Sequence, residues 1–205
     1  MSTYRTVLGE IALEDVSVPD HVKVLSSTHE YSSPVFEVWN DQLEFDSGDR
    51  AFRQYMDHDD AVGIVAIRPH GDSWDVLLIN QYRHAPRQMM WEIPAGLCDV
   101  AGEDKRVAAA RELAEETGYE AGQWTELVDF HASAGVSNEK ITIFLAEDVR
   151  EATAVEFERM EEEREITVHW VNIDDVMDAI FSRHISCPTL VVGVLAAMFY
   201  VKKRG

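Results

Sequence analysis

The chain has 205 residues, 46% of them hydrophobic, which is enough for one well-cored domain plus an extension and too apolar for a disordered or fibrous protein. Its formal net charge of −20 argues against a nucleic-acid backbone or an anionic membrane surface as partner, and most of the acids serve solubility. Only Cys98 and Cys187 are present, with neither paired nor zinc-type spacing, as expected of ordinary thiols in a reducing cytoplasm.

Residues 1–58 read as an N-terminal β extension. Apolar residues cluster in 35–39 and 42–45 around Asn40-Asp41, which predicts a hairpin turning there. Residues 59–205 read as the main domain. Segments 61–68 and 75–82, rich in Val, Ile and Leu, predict strands. The alanines, Leu113 and intervening Arg and Glu of 104–117 predict a helix, with Gly118 suited to a left-handed cap. At about 100° per residue, Val107, Ala110, Leu113, Ala114 and Thr117 would form its apolar stripe, with Glu112, Glu115 and Glu116 opposite. Strands are predicted at 126–131, 141–147 and 166–171, then helices at 174–182 and 188–203, the last opened by Pro188. Strands around a central helix with helices at the end indicate an α+β or a layered α/β/α domain. The apolar run 189–201 is too short to cross a bilayer and suits a buried helix. No basic-then-apolar leader is read at the start, so a soluble cytoplasmic protein is expected.

The chemistry concentrates between Gly96 and Tyr119, in GLCDVAGEDKRVAAARELAEETGY. Three glutamates within one helical turn repel one another, and a hard oxygen-seeking cation such as Mg²⁺ or Mn²⁺ would relieve that repulsion and bridge substrate phosphates. Arg111, four residues before Glu115, can orient a carboxylate through paired hydrogen bonds. A solvated acidic helix face is the plain alternative for three glutamates alone; the full pattern of Gly96, Glu103, Arg111, Glu112, Leu113, Glu115, Glu116, Gly118 and Tyr119 weighs against it. No His-x-x-His or His-Glu-x-x-His pattern, Gly-x-Ser-x-Gly elbow or Gly-Lys-Ser loop occurs in the chain.

This pattern resembles the box of the Nudix hydrolases. Leu97 to Gly102 places six residues before the first glutamate where the usual box has five, and the loop resembles that of actinobacterial ADP-ribose pyrophosphatases. Gln81-Tyr82-Arg83 followed by Trp91-Glu92-Ile93-Pro94-Ala95-Gly96 is similar to the same branch. The resemblance implies an α/β/α sandwich around a mixed sheet, and a homodimer formed through the N-terminal extension. It implies hydrolysis of ADP-ribose to AMP and ribose 5-phosphate, with Mg²⁺ (Mn²⁺ as alternative) held by the Ala95 carbonyl, Glu112 and Glu116, and Glu115 supporting. Arg83 would meet a substrate phosphate, Leu97 would line the nucleoside pocket, and Glu139 would touch ribose in the partner's site. Arg53 would serve phosphate or adenine. Trp91 is either a base-stacking or a core residue. Within 161–165, Glu162 would be the general base, with Glu163 as second candidate. Ala134 and Val136 replace a proline and an aromatic residue that mark ADP-ribose enzymes, so another nucleotide sugar, a dinucleotide, or a non-catalytic ADP-ribose sensor stay open as alternatives.

Overall fold

The computed structural model describes residues 3–6, 9–153 and 164–204. In chain order, β1 (Thr3–Thr6) and β2 (Gly9–Ala12) pair with each other. Strands β3 (Lys23–Ser32), β4 (Phe36–Glu44) and β5 (Arg50–His58) form a separate antiparallel sheet. The main sheet contains β6 (Ala61–His70), β7 (Ser73–Arg83), β8 (Gln88–Glu92), β9 (Ala95–Leu97), β10 (Tyr119–Phe130), β11 (Ile141–Glu151) and β12 (Thr167–Asn172). Helix α1 (Lys105–Thr117) follows β9, and α2 (Ile173–Phe181) and α3 (Pro188–Arg204) close the chain.

The main sheet runs β10-β11-β6-β7-β12, with β8 on β7 and β9 on β6. It is mixed, because β11 is parallel to β6 while its other pairings are antiparallel. The near-continuous apolar runs of β6 and β11 follow from burial on both faces. Val62, Ile64, Ala66, Leu77, Phe144 and Ala146 pack with Ala108, Ala109 and Leu113 of α1. Val65, Ile67, Val76, Leu78, Ile143 and Leu145 point the other way and pack with α2 and α3 through Val176, Leu190 and Val194. The result is the expected α+β sandwich. Among the described residues no helix is long and apolar enough to cross a membrane.

Two local expectations are corrected. Asn40-Asp41 is not a turn: Asn40 pairs with Thr28 and Gln54 in the middle of β4, where two flanking strands satisfy its backbone. The chain reverses instead through 45–49, where the Gly48 N–H donates to the Phe45 carbonyl at 2.8 Å. The apolar stripe of α1 is also rotated. Val107 is exposed and Ala110 and Ala114 only partly covered, while Ala108, Ala109, Leu113 and Thr117 are buried. The small side chains at 108 and 109 let the helix approach the sheet closely, which brings Glu112 and Glu116 to the flank of the packed face.

Candidate active site

Helix α1 begins where the Asp104 side chain accepts the Arg106 N–H at 2.9 Å, and it ends at Gly118 with φ of 75°, whose N–H returns to the Ala114 carbonyl. The extra residue of the preceding loop is absorbed in a turn closed by the Glu103 N–H on the Val100 carbonyl at 3.0 Å. The box helix is therefore regular, and its spacing is unaffected.

Strand β9 passes close in front of it. A Cβ on Gly96 would lie 2.0 Å from the Glu112 carboxyl carbon and 2.3 Å from each of its oxygens, so the absent side chain is the space that the carboxylate fills. One residue earlier, the Ala95 N–H donates to Glu116 Oε2 at 2.9 Å. Burial pushes Glu116 up to about 8, opposed in part by that N–H and reinforced by Glu112. Burial also raises Glu112, against the pull of Arg111.

Arg111 is the hub of the acidic residues. Its Nη1 donates to Glu112 Oε1 at 2.6 Å and to Glu115 Oε2 at 3.2 Å; its Nη2 donates to Glu103 Oε2 at 3.1 Å and to the Leu97 carbonyl at 3.4 Å. These bonds, Glu103 first, raise its already high proton affinity. Among the described residues no three His, Cys, Asp or Glu side chains already enclose a metal-sized space. Glu112, Glu115 and Glu116 nevertheless carry their oxygens on one helix, Glu112 and Glu115 sharing Arg111, and carboxylate oxygens are the donors a hard divalent cation takes.

Arg83 lies at the end of β7. Its Nε and Nη2 donate to the two oxygens of Glu92 at 2.9 and 2.8 Å, and Gln81 Nε2 donates to Glu92 Oε2 at 3.2 Å. Hydrogen bonding to Glu92 raises Arg83, and Arg83 in turn draws Glu116 downward. Glu92 went unassigned in the sequence. Its signal was present in the alternation that puts residues 81 and 83 on one strand face, but the pairing of β7 with β8 is needed to show that Glu92 shares that face.

The other expected residues are spread more widely. Leu97 is half-buried and packs against the core beneath α3. Arg53 lies on β5, where it lines a cavity of about 550 Å³ with Tyr55, His131, Ala134, Val136 and Asn138, away from the box carboxylates. Glu139, next in the chain, has Oε1 3.9 Å from His58 Nδ1. Trp91 is 36% exposed and meets the His169 ring edge-on at 5.1 Å. It lies on the strand face opposite Glu92, where it lines a small cavity with Val176 and His184. Burial raises the Cys98 thiol against the pull of Lys105 and Arg111, which disfavours the thiolate. Glu162 and Glu163 lie outside the described residues.

The NUDIX domain family model matches residues 57–187, and the chain belongs to the Nudix family. It is 34% identical over 174 residues to an ADP-ribose pyrophosphatase of Mycobacterium tuberculosis, covering 85% of this chain and 82% of that one. It is 28% identical to an ADP-ribose pyrophosphatase of Bacillus subtilis, covering 80% and 85%. A crystal structure of an ADP compounds hydrolase superposes with a TM-score of 0.76 at 23% identity, covering 93% of this chain and 99% of that one, which shows the shared fold.

Proposed function

We propose that this protein hydrolyses ADP-ribose to AMP and ribose 5-phosphate with the help of a divalent cation, Mg²⁺ by preference. The observation that carries the reading is the seating of two box carboxylates against one short strand, Glu112 in the gap at Gly96 and Glu116 on the Ala95 N–H. The names of the Mycobacterium and Bacillus relatives, each covering most of the chain, support the substrate. The Ala95 carbonyl, Glu112 and Glu116, with Glu115 supporting, would hold the cation, and Arg111 would orient the carboxylates. When bound, a cation there neutralises diphosphate charge and makes nearby water more acidic.

The chain's own residues supply the rest. Arg83 meets the diphosphate and offsets charge that grows as water attacks phosphorus. Glu162, assigned from sequence alone, takes the proton of that water. The phosphorus–oxygen bond between the two phosphates breaks, and the oxygen of the attacking water stays on one product. Arg53 serves a phosphate or the adenine, Glu139 touches ribose in a site completed by a second subunit, and Leu97 lines the nucleoside pocket. The cavity beside Arg53 is bordered by Ala134 and Val136, so the departures from the family pattern fall where substrate discrimination is expected.

The N-terminal segment, residues 1–58, is a dimerisation element in this reading. A three-stranded sheet in which, among the described residues, no side chain is buried supports that role, since exposed Tyr31 and Phe52 need a cover. The free thiols Cys98 and Cys187 suit the cytoplasm. The test incubates the protein and Mg²⁺ with ADP-ribose, ADP-glucose, GDP-mannose, NADH and diadenosine polyphosphates and resolves the products by chromatography. AMP released fastest from ADP-ribose is the expected result. Faster cleavage of another compound would reassign the pocket, and binding without cleavage of any would refute the catalytic reading.

A further inference from the structure

A buried carboxylate outside the box reaches its edge through one arginine, and its charge is also felt by Glu116. Glu92 is only 6% exposed, yet both its oxygens are engaged: Arg83 Nε at 2.9 Å on one, Arg83 Nη2 at 2.8 Å and Gln81 Nε2 at 3.2 Å on the other. All three side chains belong to one face of the β7–β8 pair, because Ile79 registers with Glu92 and Arg83 with Gln88. Glu92 takes two of the five guanidinium donors, and the Arg83 side chain remains 45% exposed. A parallel two-bond pairing of this kind fixes the plane of the guanidinium as well as its place. An ion pair of a buried carboxylate and a half-exposed arginine gives little net stability, so stability alone is a weak reason for this one. The same segment then runs through Ile93 and Pro94 to Ala95, which holds Glu116, so one short stretch sets both the arginine and the box carboxylate.

We propose that Glu92 is a positioning residue, braced by Gln81, that holds the Arg83 guanidinium in the plane and place where it receives the substrate's diphosphate. This rests on the reading of Arg83 as a diphosphate contact. Without Glu92 the guanidinium is free to turn on its flexible stem, and part of its binding to the phosphates is lost to reordering.

The test is a double-mutant cycle on the full chain with Mg²⁺ and ADP-ribose, using Arg83→Ala, Glu92→Gln and both together. Glu92→Gln keeps the volume of the buried group and should lower kcat/KM about tenfold, mainly through KM. In the Arg83→Ala background the same change should cost less than about twofold, because its target is gone. Guanidinium ion at tens of millimolar should restore activity to Arg83→Ala while Glu92 is present to seat it, and should fail once Glu92 is replaced. If Glu92→Gln does not fold, Gln81→Met removes the brace instead, with a smaller loss that also vanishes in the Arg83→Ala background. Equal losses in both backgrounds, or guanidinium rescue that ignores residue 92, would overturn the positioning role and leave the diphosphate reading standing. Unchanged kcat/KM in Arg83→Ala would overturn that reading and the proposal with it.

Discussion

The two larger sheets of this chain use the same backbone pairing and differ in what covers them. In the main sheet, every residue of β6 from Ala61 to Ile67 is buried, with α1 on one face and α2 and α3 on the other. In the sheet of β3, β4 and β5 no residue is buried, and Tyr31 and Phe52 are each 56% exposed. Hydrogen bonds order strands but contribute little net free energy, whereas removing apolar surface from water contributes much. The main sheet can therefore hold a costly acidic site against itself. The N-terminal sheet has no such reserve, and a second subunit is the cover proposed for it.

The contrast can be tested from the site outward. Glu116→Gln should lower kcat by about 10²–10³-fold with the fold intact, because one charged group at the reacting centre is lost; steady-state kinetics and circular dichroism read both, and near-normal turnover would refute the assignment. Gly96→Ala should cost about 10- to 100-fold, since its Cβ would occupy the space of the Glu112 carboxylate at 2.0 Å and displace that group. A cation titration of activity should show weaker apparent affinity in the same variant.

Breaking the other half of the comparison calls for Tyr31→Asp with Phe52→Asp. Light scattering should then report monomers in place of dimers, with a few-fold loss of activity as the proposed Glu139 contact across the interface disappears. A variant that stays dimeric would place the interface elsewhere.

The smallest effect is on stability against pH. Glu116 stands at about 8 in the folded chain against an ordinary 4.5, so its contribution is complete below about 4.5 and fades as pH rises through 8. The cation-free protein should lose Tm between about pH 5 and about pH 9, and Glu116→Gln should lose less over that window. Cation affinity should rise over the same range, because binding requires the carboxylate.

Much of the site could be read from one dimension because it is helical. Arg111 and Glu115, Glu112 and Glu115, and Glu112 and Glu116 stand at three- and four-residue spacing, and Arg111 does pair with Glu115, besides its chain neighbour Glu112. The caps Asp104 and Gly118 are local as well. What failed was whatever depended on a neighbouring strand. Asn40-Asp41 has the composition of a turn, but pairing on both sides of β4 holds it extended. Strands β8 and β9 are short and divided at Ile93-Pro94, too brief for an alternating pattern to show. Val107 looked apolar enough to be buried, yet the closer approach through Ala108 and Ala109 turned α1 by one position.

The sequence by itself therefore determined the layered arrangement and the carboxylate spacing, since helical periodicity and two-sided burial are written in residue order, and the resemblance of its box motif pointed to the family. Only the tertiary structure decided that Glu112 sits in the space left by Gly96, that Glu116 is held on Ala95, and that Glu92 grips Arg83. Each of these contacts joins elements whose approach is set by packing across the sheet, and packing distance leaves no periodic mark in a single chain.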